Sequence, residues 1–172
     1  MYKVVTNKFR AAFANVFKPN EDDKYQVTMV FDSEADVANL KKAIKEWAEE
    51  EGIPLKGLAM PFKSGTEKAD KDDKYEDFRG KILITPVTWN QPGLVNQKRE
   101  PILDENDFYS GCYARASITP RLWVYQKTKG IGFFLNNVQK MADGERYGGS
   151  FNPADDFETV ETTESLDDDF NI

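Results

Sequence analysis

The residues of this chain whose types and spacing suggest chemistry are aromatic and cationic, and they alternate. In the stretch FYSGCYARASITPRLWVYQK, residues 108–127, Tyr109, Tyr113 and Arg115 stand opposite Cys112, Ala114, Ala116 and Ile118. After a Thr-Pro step, Arg121, Trp123, Tyr125 and Lys127 stand opposite Leu122 and Val124, and Lys129 follows. Period-two alternation marks a strand with two unlike faces. Rings interleaved with cations suit a single-stranded nucleic acid, because bases stack on the rings while Arg and Lys meet the phosphates. Residues 108–142 hold five Lys or Arg and no Asp or Glu, so acids are absent where a polyanion would lie. A second reading fits the same residues: strands are rich in aromatics anyway, and where both faces are covered Trp123 or Tyr113 becomes core.

Other chemistries are poorly supplied. The 172 residues include no histidine, which removes Ser-His and Cys-His nucleophiles, His acid–base steps and His-containing metal sites. The single cysteine, Cys112, cannot form an intramolecular disulfide and reads as a small buried residue among Ala114, Ala116 and Ile118. Asp70, Asp72, Asp73 and Glu76 could hold Mg²⁺ in a nuclease, but they alternate with Lys68, Lys71 and Lys74 in a polar stretch. No catalytic residue, cofactor or metal is expected.

Net charge is −7, which at first sight opposes a nucleic-acid partner. Residues 153–172 alone hold eight acids and no base, leaving residues 1–152 with 23 bases against 22 acids. The chain therefore divides into a folded body, residues 1–152, and an acidic tail, residues 153–172, expected to be disordered because like charges repel and little apolar area can be buried. Phe170 directly follows Asp167, Asp168 and Asp169. That arrangement suits a polyanion mimic for the body's basic groove, or an aromatic anchor for a partner with a basic rim; a merely solubilising tail is the plainer reading.

The elements that must position the alternating stretch are mostly strands. Residues 2–6 and 9–17 read as two short strands, with Phe9, Phe13 and Phe17 on one face, and residues 24–31 as the next, with Tyr25, Val27, Met29 and Phe31 together. Residues 33–52 form the clearest helix: Ser33 and Asp36 mark its start, Gly52 and Pro54 its end, and Val37, Leu40, Ile44 and Trp47 its apolar stripe. Residues 54–81 read as a long polar loop, either solvated surface or a flap with Phe62, Lys63, Tyr75 and Arg79 as ligand contacts. Residues 81–89, broken at Pro86, and 130–138 complete the strands, the first followed by a loop over 90–107 that leads to the central stretch and the second entered by a turn over 127–130. This inventory predicts a mainly β domain, a five-stranded antiparallel OB-fold-like barrel with one capping helix, with a β-sandwich as the other candidate. No apolar run approaches the ~20 residues of a membrane span, and no signal-peptide core is visible at the start.

Several segments together carry a resemblance: Ala14-Asn15-Val16-Phe17-Lys18-Pro19, Lys24-Tyr25-Gln26-Val27-Thr28, Pro61-Phe62-Lys63-Ser64-Gly65, then YSGCYAR over 109–115 and GIGFFLNNVQK over 130–140. In this order the chain resembles, over nearly its whole length, a group of phage-encoded single-stranded DNA-binding proteins. The resemblance implies an OB-fold, single-stranded DNA bound without strong sequence preference, and a role in phage replication or recombination in the cytoplasm of the infected bacterial host. The acidic tail is similar to tails that recruit replication enzymes, although Asn171 and Ile172 follow Phe170 here. Tyr109, Tyr113, Trp123 and Tyr125 are the stacking candidates, Arg115, Arg121, Lys127 and Lys129 the phosphate contacts, and Phe62, Lys63, Tyr75 and Arg79 the contacts from the long loop. The alternative is a protein–protein adaptor or phage structural protein using the aromatic face as an interface. A homodimer is left open, and no membrane partner is expected.

Overall fold

The computed structural model describes residues 2–147 and residue 160. The tail residues Asp167, Asp168, Asp169 and Phe170 lie outside them.

Nine strands and two helices make up the described residues: β1 (Val4–Val5), β2 (Phe9–Asn15), β3 (Tyr25–Phe31), α1 (Glu34–Glu51), β4 (Lys63–Ser64), α2 (Gly65–Lys71), β5 (Ile82–Ile84), β6 (Val87–Thr88), β7 (Gly93–Val95), β8 (Tyr113–Tyr125) and β9 (Thr128–Ala142). The fold is mainly β, as expected, but the sheet is mixed and not purely antiparallel. β6 and β7 run parallel to β9, pairing Val87 with Phe134 and Gly93–Val95 with residues 137–139. The reason is that β6 and β7 both lie on the free edge of β9 and enter it by the loops that follow β5, not by hairpins. The pairings return on themselves: β8 to β2, β2 to β3, β3 to β6, β6 to β9, and β9 back to β8.

The central element is one long ribbon. β8 continues through Thr119-Pro120 without a break and pairs with β9 from Tyr113↔Ala142 to Tyr125↔Thr128, turning over Gln126 and Lys127 with Gln126 at φ 55°. The Thr-Pro step therefore does not separate two strands. On its other side β8 meets β1 only as far as Ile118, so at Pro120 that edge is free of a partner strand, and a missing N–H is tolerated there. Ala114, Ala116 and Ile118 are buried with Cys112, as alternation predicts. Leu122 and Val124, on the same face, are exposed, because the ribbon runs on past the strands that cover its inner side.

α1 lays Val37, Leu40, Ile44 and Trp47 onto the core and packs against β3 and β8. Gly52, at φ 69°, ends it, and the Ile53 N–H returns to Ala48 O at 2.8 Å, since a left-handed C′ residue closes the last carbonyls at least cost when it is glycine. The stretch over 54–81 is not a plain loop. Ser64 caps α2 by accepting from the Glu67 N–H at 3.2 Å, and a 3-10 turn over Asp73–Phe78 follows. Phe78 packs on Ala12, Val30 and Leu83, with Phe13 and Tyr75 beside it, so both faces of β2 and β3 are covered. Phe13 reaches that second cluster because the β2–β3 register shifts between Ala12 and Asn15, where its φ is 46°; a bulge reverses the face a side chain takes. Phe9 and Phe13 thus serve different layers.

Candidate nucleic-acid interface

The outer face of the far half of the ribbon carries Thr119, Arg121, Trp123 and Tyr125 on β8, facing Phe134, Gly132, Gly130 and Thr128 across the register. The two glycines make room for Trp123. A Cβ on Gly130 would stand 2.3 Å from the indole Cζ2, and one on Gly132 3.3 Å from Cδ1. The ring therefore lies on the bare backbone of β9, and its remaining surface lines a cleft of about 220 Å³ with Met60, Pro61, Lys63, Lys68 and Arg121.

Arg121 is the unsatisfied group of this region. It is half-buried, its Nε has no hydrogen-bond partner among the described residues, and burial pushes its pKa down. A guanidinium keeps its proton in a protein, so the result is a desolvated cation without an anion. It lies 5.2 Å from the Phe134 ring centre and 5.8 Å from that of Trp89. Trp89 follows β6, is 53% exposed, meets Phe134 edge to face at 6.1 Å and has Lys24 Nζ 5.6 Å away. On the cleft's other wall the Lys68 pKa is lowered, first by burial and then by Lys63, Lys74 and Lys71. Stacked like charges and lost water both disfavour a charged amine, and an incoming anion relieves both. Neither Lys24, Lys63, Lys68 nor Arg121 is in an ion pair among the described residues.

The other predicted residues sit elsewhere. Tyr113, ten positions from Trp123 on β8, is roughly 33 Å away at a strand's rise. It stands under Arg10 and Lys8, and Arg10 is itself 4.0 Å from the Tyr147 ring centre and donates to the Gly111 and Glu145 carbonyls. The Tyr109 hydroxyl donates to Asp143 Oδ1 at 2.9 Å, and its ring is covered by Lys140 and Arg146. Arg115 is exposed and donates to Gln139 at 2.8 Å. Tyr125, Lys127 and Lys129 are exposed at the ribbon tip. Of the residues predicted from the 54–81 stretch, only Lys63 lines the cleft; Phe62 packs on the core under Lys41, Tyr75 packs on Phe13 and Phe78, and Arg79 holds Glu76 and Asp70 at 2.8 and 2.9 Å, which raises its pKa.

Reading by alternation missed Trp89, Phe134, Lys24, Lys68 and Arg10. Phe134 was within reach, because Gly130, Gly132 and Phe134 share one face of β9 and two glycines opposite a Trp and an Arg signal close approach. Trp89 and Lys24 carry no local signal, since β3, β6 and β9 bring them together from distant parts of the chain.

Known proteins share this arrangement of strands. The single-stranded DNA-binding protein from bacteriophage Enc34 superposes with a TM-score of 0.68 at 21% identity, over 91% of this chain and 90% of that one. Its complex with ssDNA gives 0.67 at 23% identity, over 86% and 90%. The gp2.5 single-stranded DNA-binding protein encoded by bacteriophage T7 gives 0.60 at 12% identity, over 93% and 99%. A search of curated proteins finds no match. At these identities the structures speak for the fold alone, whereas the sequence itself matches a family model, described as Enterobacter phage Enc34, ssDNA-binding protein, over residues 2–170. With all but three of its residues inside that match, the chain belongs to the phage family of the Enc34 ssDNA-binding protein.

Proposed function

We propose that this protein binds single-stranded DNA with little sequence preference, on the outer face of the β8–β9 ribbon, during phage DNA replication or recombination in the infected bacterial host. The family is one of single-stranded DNA-binding proteins and not of enzymes. The observation that carries the reading is Arg121, a half-buried guanidinium beside Trp89, Trp123 and Phe134 whose Nε is unpaired among the described residues. Arg121, Lys63, Lys127 and Lys129 are the phosphate contacts and Trp123 and Tyr125 the stacking rings; Tyr109, Tyr113, Arg115, Phe62, Tyr75 and Arg79 are second-rank contacts because protein partners already engage them. The return of the pairings through β2, β3, β6, β9 and β8 supports reading the body as an OB-type barrel.

The proposal treats residues 1–152 as the DNA-binding body and 153–172 as the regulatory tail. Asp167, Asp168, Asp169 and Phe170 compete with DNA for the basic face or recruit replication enzymes. The test is the affinity of the full chain, and of a chain ending at Asn152, for fluorescent oligo-dT and the matching duplex as salt is varied. Single-strand binding by the full chain is expected, with tighter binding or added duplex binding after truncation. The slope of log K against log salt falls by ~0.7 per phosphate engaged on a single strand. The exposed Leu122 and Val124 favour a second reading, an adaptor surface for another protein; absence of oligo-dT binding by both chains at low salt would decide for it.

A further inference from the structure

Leu122 and Val124 have no covering element among the described residues, on the face of the ribbon tip turned away from Trp123. They are 43% and 60% exposed. The register sets Lys129 beside them, since Val124 pairs with Lys129 and Leu122 with Ile131. Residues 121–130 hold three cations and no acid, and neither Lys127 nor Lys129 is in an ion pair among the described residues. A basic, apolar sheet face is complementary to an acidic, apolar occupant.

The chain itself presents such an occupant. Leu103 is 87% exposed between the buried Ile102 and Phe108, and Asp104, Glu105 and Asp107 follow it with no base from 101 to 107. Its loop is pinned on both sides: the Ile102 N–H donates to Leu94 O at 2.9 Å, and Asp104 Oδ1 accepts the Asn106 N–H at 2.9 Å. A leucine held outward by a fixed backbone adds nothing to the core. The three acids are in no ion pair among the described residues. Within one molecule the two surfaces cannot meet. Leu94, which holds the Leu103 loop, pairs with Val138 on β9, ten residues from Thr128 at the tip, roughly 33 Å at a strand's rise.

We infer that the ribbon tip of one copy docks on the Leu103 loop of a second copy, with Leu122 and Val124 against Leu103 and Lys129 toward Asp104, Glu105 and Asp107. Charge decides between the ways two copies could pair. Tip on tip would face Lys127 and Lys129 with themselves, and loop on loop would face three acids with three, whereas tip on loop neutralises both. Because the two surfaces differ, the contact is head to tail, leaves a free tip at one end and a free loop at the other, and so propagates. This rests on the proposed single-strand binding and adds to it how copies are ordered along the strand. Tyr125 is on the opposite face of the same tip, so a copy seated there is the next one on the DNA. The contact is small and relies on the strand for proximity. At an effective concentration of ~1 mM, a contact with a Kd of ~0.1 mM makes a second copy bind about tenfold tighter than the first.

The test uses full-length protein and oligo-dT of the lengths that saturate with one copy and with two. One variant combines Leu122→Ser with Val124→Ser, and the other is Leu103→Ser; both make uncharged exchanges of exposed residues outside the proposed DNA contacts. Each is expected to bind the one-copy oligomer within twofold of wild type, which also shows that it folds. On the two-copy oligomer the second copy of wild type should bind about tenfold tighter than the first, and each variant alone should lose that gain. An equimolar mixture of the two variants should regain part of it, because an intact tip can then sit beside an intact Leu103. With single-strand binding intact, the contact is overturned by equal affinity of wild type for both copies, by a gain that survives in either variant, by a variant that loses the one-copy oligomer as well, or by a mixture no better than its components. If wild type fails to bind the one-copy oligomer, the functional reading falls and the head-to-tail order with it.

Discussion

The two ends of the β8–β9 ribbon carry the same kind of residues in the same alternation, yet they are in opposite electrostatic states. At the near end Tyr113 and Tyr109 are covered by Lys8, Arg10, Lys140 and Arg146, the Tyr109 hydroxyl is bonded to Asp143, and Lys140 is paired with Asp143 at 2.7 Å. At the far end Trp123 rests on two glycines, Trp89 is half open, and Arg121 has no partner for its Nε among the described residues. Alternation specifies which face a side chain takes, but the occupancy of that face depends on what other elements lay over it. The near end is covered by β2 and by residues 143–147, whereas past Ile118 no strand among the described residues follows β8 on its outer edge. A cation satisfied within the fold stabilises the fold; one left over is available for a ligand.

The largest effect that can break this comparison is expected at Arg121. Arg121→Ala should weaken oligo-dT binding by ~1.5–3 kcal/mol, the range for hydrogen bonds to a charged group, and lower the salt slope by ~0.7. Its thermal stability should hold or rise, because a desolvated cation is removed. The matched change at the near end, Arg10→Ala, should do the reverse, costing stability through the lost Gly111 and Glu145 bonds while leaving affinity within a few-fold. Equal losses of affinity at both ends, measured by anisotropy titration, would erase the distinction.

A smaller effect sharpens it. Gly130→Ala would drive a methyl into the Trp123 indole, whose Cζ2 is 2.3 Å from the new atom. The ring has an open cleft to move into, so the expected outcome is a displaced Trp123 with modest destabilisation and a loss of ~1–2 kcal/mol of oligo-dT affinity, part of one base stack. Tryptophan fluorescence reads the displacement directly. Unchanged affinity alongside a shifted emission would mean that the pose of Trp123 is immaterial to binding.

Much of this was legible from residues alone where the signal is local. The period-two run placed Ala114, Ala116 and Ile118 inside, and the three- and four-residue spacing from Val37 to Trp47 marked α1, whereas in the far half of β8 Arg121 and Trp123 are half-buried and Leu122 and Val124 exposed. The polar stretch over 54–81 hid a helix, although Ser64 followed three residues later by Glu67 is a capping signature. An even mixture of acids and bases without an apolar stripe masked it. Parallel pairing was not legible at all, since β7 and β9 are joined by no turn chemistry and meet about 44 residues apart. Trp89 went unread for the same reason: its neighbours Lys24 and Phe134 are assembled by pairings that only the fold supplies.

The smallest expected effect tests the near end in isolation. Tyr109→Phe keeps the ring under Lys140 and Arg146 but deletes the hydroxyl that donates to Asp143 and accepts the Gly144 N–H. The bond to Asp143 alone is worth ~1 kcal/mol, a fall in Tm of ~2–4 °C for a chain of this size, and the lost Gly144 bond adds to it, with oligo-dT affinity unchanged. The loss should also depend on pH in a stated direction. The Lys140 hydrogen bond, and then that of Tyr109, hold the Asp143 carboxyl below its ordinary 3.8. A depressed folded-state pKa gives stability that is present above the ordinary value and disappears as pH falls through the lowered one. Burial lowers the Lys140 pKa, but its bond to Asp143 more than offsets this and the net shift is upward, so its share is present below 10.5 and disappears as pH rises through the raised value. The stability gap between wild type and Tyr109→Phe should therefore be full at neutral pH and narrow in acid as Asp143 protonates. A gap that is constant down to pH 2 would remove Asp143 from the account, and a variant with normal stability but weakened DNA binding would move Tyr109 to the DNA face and make the two ends of the ribbon alike.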